Sequence, residues 1–202
     1  MSTNETLSRK IIGKLATQPE GQPVTAKSLL HLGTRAAVDQ ALSRLARCGR
    51  ITRLARGLYV LPIATRFGAR APSVEKTVEA LAALLGETVV LGGASAANRL
   101  GLSTQVPVRP VYLTSGANRI LAFGKQTVEF RHAPAWQLVE PASRVGDLIR
   151  ALSWLGREQA IEGALKLVAR MSESERSTLA QLRPRMPEWL ARSVSETARA
   201  HG

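Results

Sequence analysis

Residues 34–62 read TRAAVDQALSRLARCGRITRLARGLYVLP, and this stretch decides the fold. Thr34 carries the hydroxyl that caps a helix start, and Gly49 stands where a helix reaching Cys48 needs a left-handed residue. On a helical wheel centred on Val38, Ala41, Leu42 and Leu45 fall within about 60° and form an apolar stripe. Ala36, Gln40, Ser43, Arg44 and Arg47 cluster on the opposite face. Beyond the helix, Ile51–Leu54 and Leu58–Leu61 are two short apolar runs about the turn Ala55-Arg56-Gly57, closed by Pro62, and read as a hairpin.

Upstream, residues 5–18 place Leu7, Ile11, Ile12 and Leu15 at helical spacing before Pro19, Gly21 and Pro23 break the pattern. Val24 predicts a short extended piece. Thr25 is the expected N-cap of a brief helix through Leu29, Leu30 and Leu32, and Gly33 is the turn. Helix, helix, turn, helix and hairpin is the layout of a winged helix-turn-helix over residues 1–65. In that layout the outward face of the third helix enters the major groove, where Arg bonds guanine bidentately and Gln does the same with adenine. Arg35, Gln40, Ser43, Arg44, Arg47, Arg50, Arg53 and Arg56 are therefore the candidate DNA-binding residues. Arg53 and Arg56 belong to the wing, where phosphate or minor-groove contact is natural, and Arg50 and Arg53 could equally hold phosphates. Taken singly, each of these arginines is an ordinary solvated residue; the reading rests on their joint placement.

The charge map points the same way. The 202 residues carry 28 Lys+Arg against 15 Asp+Glu, a formal net charge of +13. Residues 1–70 hold 12 bases and 3 acids, so +9 of that excess lies in the first third of the chain. Such a surface attracts polyanions by steering and counterion release. Codon bias would account for 22 of the 28 bases being Arg, but not for their asymmetry along the chain.

Residues 66–73 read as a linker, within a Pro-, Gly- and Arg-bearing stretch, PIATRFGARAPSV, at 62–74. Residues 74–202 read as a second, α+β domain. Ser73 caps a helix over Val74–Leu85 ended by Gly86, and Thr88–Leu91 is a short buried strand. Gly92-Gly93 and a brief helix, Ser95–Leu100, follow. Val111–Thr114, Arg119–Phe123 and Thr127–His132 then read as an antiparallel meander. From Ser143 the chain turns helical, with a break at Gly156, a helix over Glu158–Met171, a capping box at Ser172 and Glu175, and a last helix opened by Pro187 and running to about Ala200. The fold class expected is α+β: an N-terminal winged helix-turn-helix, a mixed domain with a small antiparallel sheet, and a helical C-terminal part.

Catalytic chemistry finds little material. The only Asp residues, Asp39 and Asp147, fall in different domains, which does not suit a two-metal site. The single cysteine, Cys48, excludes an internal disulfide and reads as a small core residue. Gly93-Ala94-Ser95-Ala96-Ala97 misses the nucleophile elbow at its last position. His132 at a strand end reads as structural, and Trp136, Trp154 and Trp189 as anchors of helix packing. No cofactor, no metal and no enzymatic activity are expected. The strand–Gly92-Gly93–helix passage invites a phosphate-loop reading, but GxxxxGK[ST] and a complete GxGxxG are both absent. No apolar run approaches the roughly 18–20 residues that span a bilayer, and the start MSTNETLSRK does not read as a signal peptide, so a cytoplasmic protein without a membrane partner is expected.

The stretch Ala36–Pro62, with its Ala-Leu-x-Arg-Leu helix, Gly, basic strand and Arg-Gly-Leu-Tyr wing, resembles the N-terminal winged helix of AbiEi-type antitoxins of type IV toxin–antitoxin systems. The segment Gly92–His132 resembles the second domain of a related bacterial family, on the block Asn98-Arg99-Leu100-Gly101-Leu102-Ser103-Thr104-Gln105-Val106-Pro107, followed by Val111-Tyr112-Leu113-Thr114 and Phe130-Arg131-His132. The resemblance covers most of residues 26–140 and leaves the helical tail unmatched. It implies a repressor of its own operon, bound to double-stranded DNA of its promoter, that also counters a nucleotidyltransferase-like toxin encoded beside it. In type IV systems that action is indirect, without a stable toxin complex. Antitoxin activity would reside in Leu91–His132. Palindromic or repeated operator sites would imply two bound copies; nothing in the sequence fixes dimerisation. The alternative class is a nucleic-acid-associated enzyme or RNA-binding protein using the Gly92-Gly93 helix start as a phosphate site.

Overall fold

The computed structural model describes residues 2–66, 68–105 and 107–199. Phe67 of the expected linker, Val106 of the Leu-Ser-Thr-Gln-Val-Pro block and Ala200 at the expected end of the last helix lie outside the described residues. The chain is mixed α+β, with two small antiparallel sheets, a four-stranded mixed sheet and C-terminal helices among the described residues. It divides into two compact units, residues 1–87 with 119–128, and residues 88–118 with 129–202.

In the first unit, helix α1 (Ser2–Ala16) stops before Pro19. Strand β1 (Val24–Thr25) leads to a 3₁₀ helix over Lys27–Leu32. Its formal N-cap is Ala26 rather than the expected Thr25, because Thr25 instead closes a reciprocal turn: Ser28 N–H donates to Thr25 Oγ1 at 3.2 Å and Ser28 Oγ receives Thr25 N–H at 3.3 Å. Helix α2 (Arg35–Arg47) is capped by Thr34, whose hydroxyl accepts from Ala37 N–H. Strands β2 (Thr52–Ala55) and β3 (Leu58–Val60) form the expected hairpin, with Gly57 at φ 73° in the turn. The sheet order is β1-β3-β2, both pairs antiparallel, with Val24 beside Tyr59 and Thr52 beside Val60. Leu7, Ile11, Leu15, Leu29, Val38, Leu42, Leu45, Ile51 and Tyr59 share one core, so the apolar stripe of α2 is buried where the wheel placed it.

The stretch read as a linker is structured in part. Ile63–Thr65 (β4) and Gly68–Arg70 (β5) pair as an antiparallel ribbon, with Ile63 opposite Arg70. Pro62 and Pro72 flank it, and its side chains are mostly exposed, which is why polarity and proline content mask it in the sequence. Helix α3 (Val74–Leu85) has the expected caps: Ser73 accepts from Lys76 N–H, and Gly86 is left-handed at φ 65°. It groups with the first unit, where Lys76 Nζ lies 2.7 Å from Glu20 Oε2 and holds that carboxyl below its ordinary range. The segment 119–128 lies against β2 in the same unit, and Arg119 is ion-paired with Glu87.

In the second unit, β6 (Val89–Leu91) precedes α4 (Gly93–Arg99), and β7 (Val111–Thr114) follows. Strand β8 (Arg119–Phe123) belongs to the first unit and β9 (Gln126–His132) runs from the first into the second; the strand order is β6-β7-β9-β8. This corrects the expected meander: β7 and β9 are neighbours and run parallel, with Tyr112 beside Phe130. Phe130 is fully buried, and its ring stacks on Tyr112 at 5.7 Å between centroids; that contact requires β9, not β8, beside β7. Helix α5 (Arg144–Val168) is capped by Ser143 and broken at Gly156 (φ 78°), as the glycine predicted. Helix α6 (Glu173–Leu182) opens on the Ser172–Glu175 capping box, and α7 (Glu188–Arg199) follows Pro187. Val145, Leu148, Leu152, Ala164, Leu179, Leu190 and Val194 form the helical core, with Trp136 and Trp189 packed on it. Trp154 is not such an anchor: it is 44% exposed.

Candidate nucleic-acid interface

Burying Val38, Ala41, Leu42 and Leu45 fixes the rotation of α2 and leaves Ala36, Gln40, Ser43, Arg44 and Arg47 exposed. Of the other candidates, Arg35, Arg50, Arg53 and Arg56 are exposed as well, so all eight stand on the surface of the first unit. Their local partners differ. Arg35 Nε lies 2.8 Å from Asp39 Oδ2, one turn along the helix, which offsets its charge. Arg44 Nε reaches back to the Gln40 carbonyl at 3.4 Å, and Arg53 Nε to that of Ala55 at 3.4 Å. Arg47, Arg50 and Arg56 form no ion pair among the described residues. Arg53 is carried by the strand whose next residue, Leu54, is buried, so the β alternation itself turns Arg53 outward.

Cys48 is exposed, contrary to its reading as a core residue. It is the C-cap of α2, one position past the last helical turn, and Leu45 and Ile51 fill the core on either side of it.

The Gly92-Gly93 passage has a packing explanation. Gly92 N–H donates to Val111 O at 2.8 Å, and a Cβ on Gly92 would lie 2.8 Å from that same oxygen. A Cβ on Gly93 would collide with Trp154 Cβ and lie 2.5 Å from Arg150 O. The glycines allow α4 to approach β7 and α5, and α4 is only 7 residues long. Gly93→Ala is expected to destabilise the chain by about 1–3 kcal/mol through overpacking, read as a lowered urea midpoint; an unchanged midpoint would refute the close approach. His132 closes the end of β9: its N–H donates to Asn118 Oδ1 at 2.5 Å, and Nδ1 lies 2.9 Å from Gly116 O.

One buried charged group escaped sequence reading. The Arg150 side chain has no exposure, and its Nη2 donates to Asp147 Oδ1 at 2.9 Å. Nη1 donates to the Gln137 and Val139 carbonyls, each at 3.2 Å. Arg99 Nη1 approaches Asp147 Oδ2 at 3.1 Å from the solvent side. Burial pushes the Arg150 guanidinium below its ordinary pKa, against the pull of Asp147. The sequence signal was an Asp in the first turn of a helix with Arg three residues on, a spacing that also occurs on solvated faces.

Among the described residues no helix is long and apolar enough to cross a membrane. No group of three or more His, Cys, Asp or Glu is placed to hold a metal among them. Among curated proteins none matches the chain. Among solved structures, the crystal structure of the RV2827C protein from Mycobacterium tuberculosis is similar in fold, at a TM-score of 0.53 and 20% identity, over 98% of this chain and 78% of that one. Residues 10–178 match a family of unknown function, DUF6088, and the chain belongs to that family.

Proposed function

We propose that the chain is a sequence-specific DNA-binding regulator in which residues 1–65 act as a winged helix-turn-helix. The observation that carries this reading is the exposed polar and basic face of α2, opposite its buried stripe. The order α1, β1, 3₁₀ helix, α2, β2, β3, with β1 paired on the free side of β3, supports it. So does the concentration of +9 in residues 1–70. Helix α2 is the recognition helix. Gln40, Ser43, Arg44 and Arg47 read base edges, while Arg50, Arg53 and Arg56 hold phosphates. Arg35, paired with Asp39, sets the helix start more than it contacts DNA.

The regulatory role proposed is autorepression in the cytoplasm by an antitoxin of the type IV kind, without catalysis of its own, acting against a nucleotidyltransferase-like toxin without a stable complex. The second unit would carry that antitoxin activity. The packing role of Gly92 and Gly93 weighs against the phosphate-site alternative.

The test is a gel shift with the full chain and a fragment of its own upstream DNA, beside an unrelated fragment at matched salt. Specific retardation of the upstream fragment is expected, and equal affinity for both would sink the reading. The three phosphate contacts assigned to Arg50, Arg53 and Arg56 imply that raising salt from 50 to 200 mM should weaken binding by about fortyfold per bound copy. A flat salt response would remove the phosphate contacts assigned to the wing.

A further inference from the structure

The second unit holds a cavity of about 230 Å³ walled by the start of α4 (Gly92–Ser95), Pro107, strand β7 through Val111 and Leu113, Arg131 of β9, and Gln137, Ser153 and Trp154. Its walls are apolar on the β7 side, and Trp154 contributes a large aromatic surface that is 44% exposed in an otherwise packed region. Its described lining contains two arginines, Arg131 and Arg150, and no carboxylate. Arg150 is already engaged by Asp147 and two carbonyls, so the guanidinium with a donor to spare is that of Arg131. Arg131 holds Glu129 through Nε at 2.7 Å and Nη2 at 3.0 Å, which leaves Nη1 as a free donor. Ser153 Oγ accepts from Gln137 Nε2 at 3.0 Å, so its own hydroxyl proton remains to be given.

We propose that this cavity binds a small aromatic carboxylate, with the ring between Trp154 and the Val111–Leu113 wall and the carboxylate taking Arg131 Nη1 and the Ser153 hydroxyl. Three features select this class. The volume lies below the roughly 300–1,000 Å³ of pockets for drug-sized ligands, so one ring fits and a nucleotide does not. The exposed Trp154 and the apolar strand face offer an aromatic slot. Arg131 Nη1, which its pair with Glu129 does not use, and the unspent Ser153 hydroxyl proton both donate, which suits an acceptor-only group. The site is separate from the α2 face, and the inference does not rest on the DNA-binding reading.

The probe is benzoate, with benzamide as the uncharged ring and acetate as the ringless charge. Each is titrated into ¹⁵N-labelled full-length protein while the indole N–H signals of Trp136, Trp154 and Trp189 are followed. Trp154 is assigned with Trp154→Phe. Benzoate should shift the Trp154 signal saturably, with a Kd of about 1 mM as befits so few atoms. Benzamide and acetate should bind at least about tenfold more weakly, and Arg131→Gln should weaken benzoate by a similar factor. The other two indole signals, unmoved in each variant, report an intact unit. No saturable shift, equal binding of benzamide, or full benzoate affinity in Arg131→Gln with unmoved Trp136 and Trp189 signals would each overturn the proposal.

Discussion

Asp147→Ala is expected to lower the unfolding free energy by about 3–5 kcal/mol, because it strands a buried guanidinium. The Arg150 side chain has no solvent exposure and the Asp147 side chain only 8%, so water cannot replace the lost carboxylate without opening the start of α5. The two carbonyl bonds from Nη1 to Gln137 and Val139 satisfy hydrogen-bonding geometry but not charge. Arg99, whose side chain is 60% exposed, is the contrast: Arg99→Ala should cost about 1 kcal/mol or less, since its side of the triad faces solvent. The double replacement Asp147→Leu with Arg150→Met should be more stable than Asp147→Ala alone, because it removes both charges together. Urea melts of the variants, compared by midpoint and slope, decide the matter. A midpoint for Asp147→Ala within the range of Arg99→Ala would show that the pair is not holding the unit together.

The second large effect concerns the exposed face of α2. Arg44→Ala and Arg47→Ala should each remove about 1–3 kcal/mol of discrimination between the upstream site and unrelated DNA, and the double variant should bring the two close together. Arg56→Ala should instead weaken binding to both by a similar factor and reduce the salt slope by about 1. These side chains make no core contact, so folding stability should stay within about 0.5 kcal/mol of the parent in all three. Fluorescence anisotropy at two salt concentrations separates base from phosphate contacts. If Arg44 and Arg47 variants discriminate as the parent does, α2 presents a different face to its partner.

What was legible in the sequence was local. Thr34, Ser73, Ser143 and the Ser172–Glu175 box cap helices because an oxygen and an orphan N–H lie a few residues apart on the same chain. The stripe of Val38, Ala41, Leu42 and Leu45 needed only helical periodicity. What was not legible was decided at long range. The parallel pairing of β7 with β9 depends on Tyr112 meeting Phe130, 18 residues on, a choice no turn motif announces. The β4–β5 ribbon has almost no buried face, so it leaves no hydrophobic alternation to read. Arg150 looks like any solvated helical arginine until Asp147, Gln137 and Val139 converge on it. The exposed candidate residues of α2 were found because an amphipathic helix that hides one face must display the other; the cavity of the second unit was missed because its walls come from six separate stretches.

The division of the chain places residues 119–128 with residues 1–87, although thirty-one residues of the other unit come between them. The two units therefore alternate along the sequence. A gene fusion or a recombination event with a single crossover cannot carry off either unit whole. A truncation after Glu87 removes the segment that lies against β2.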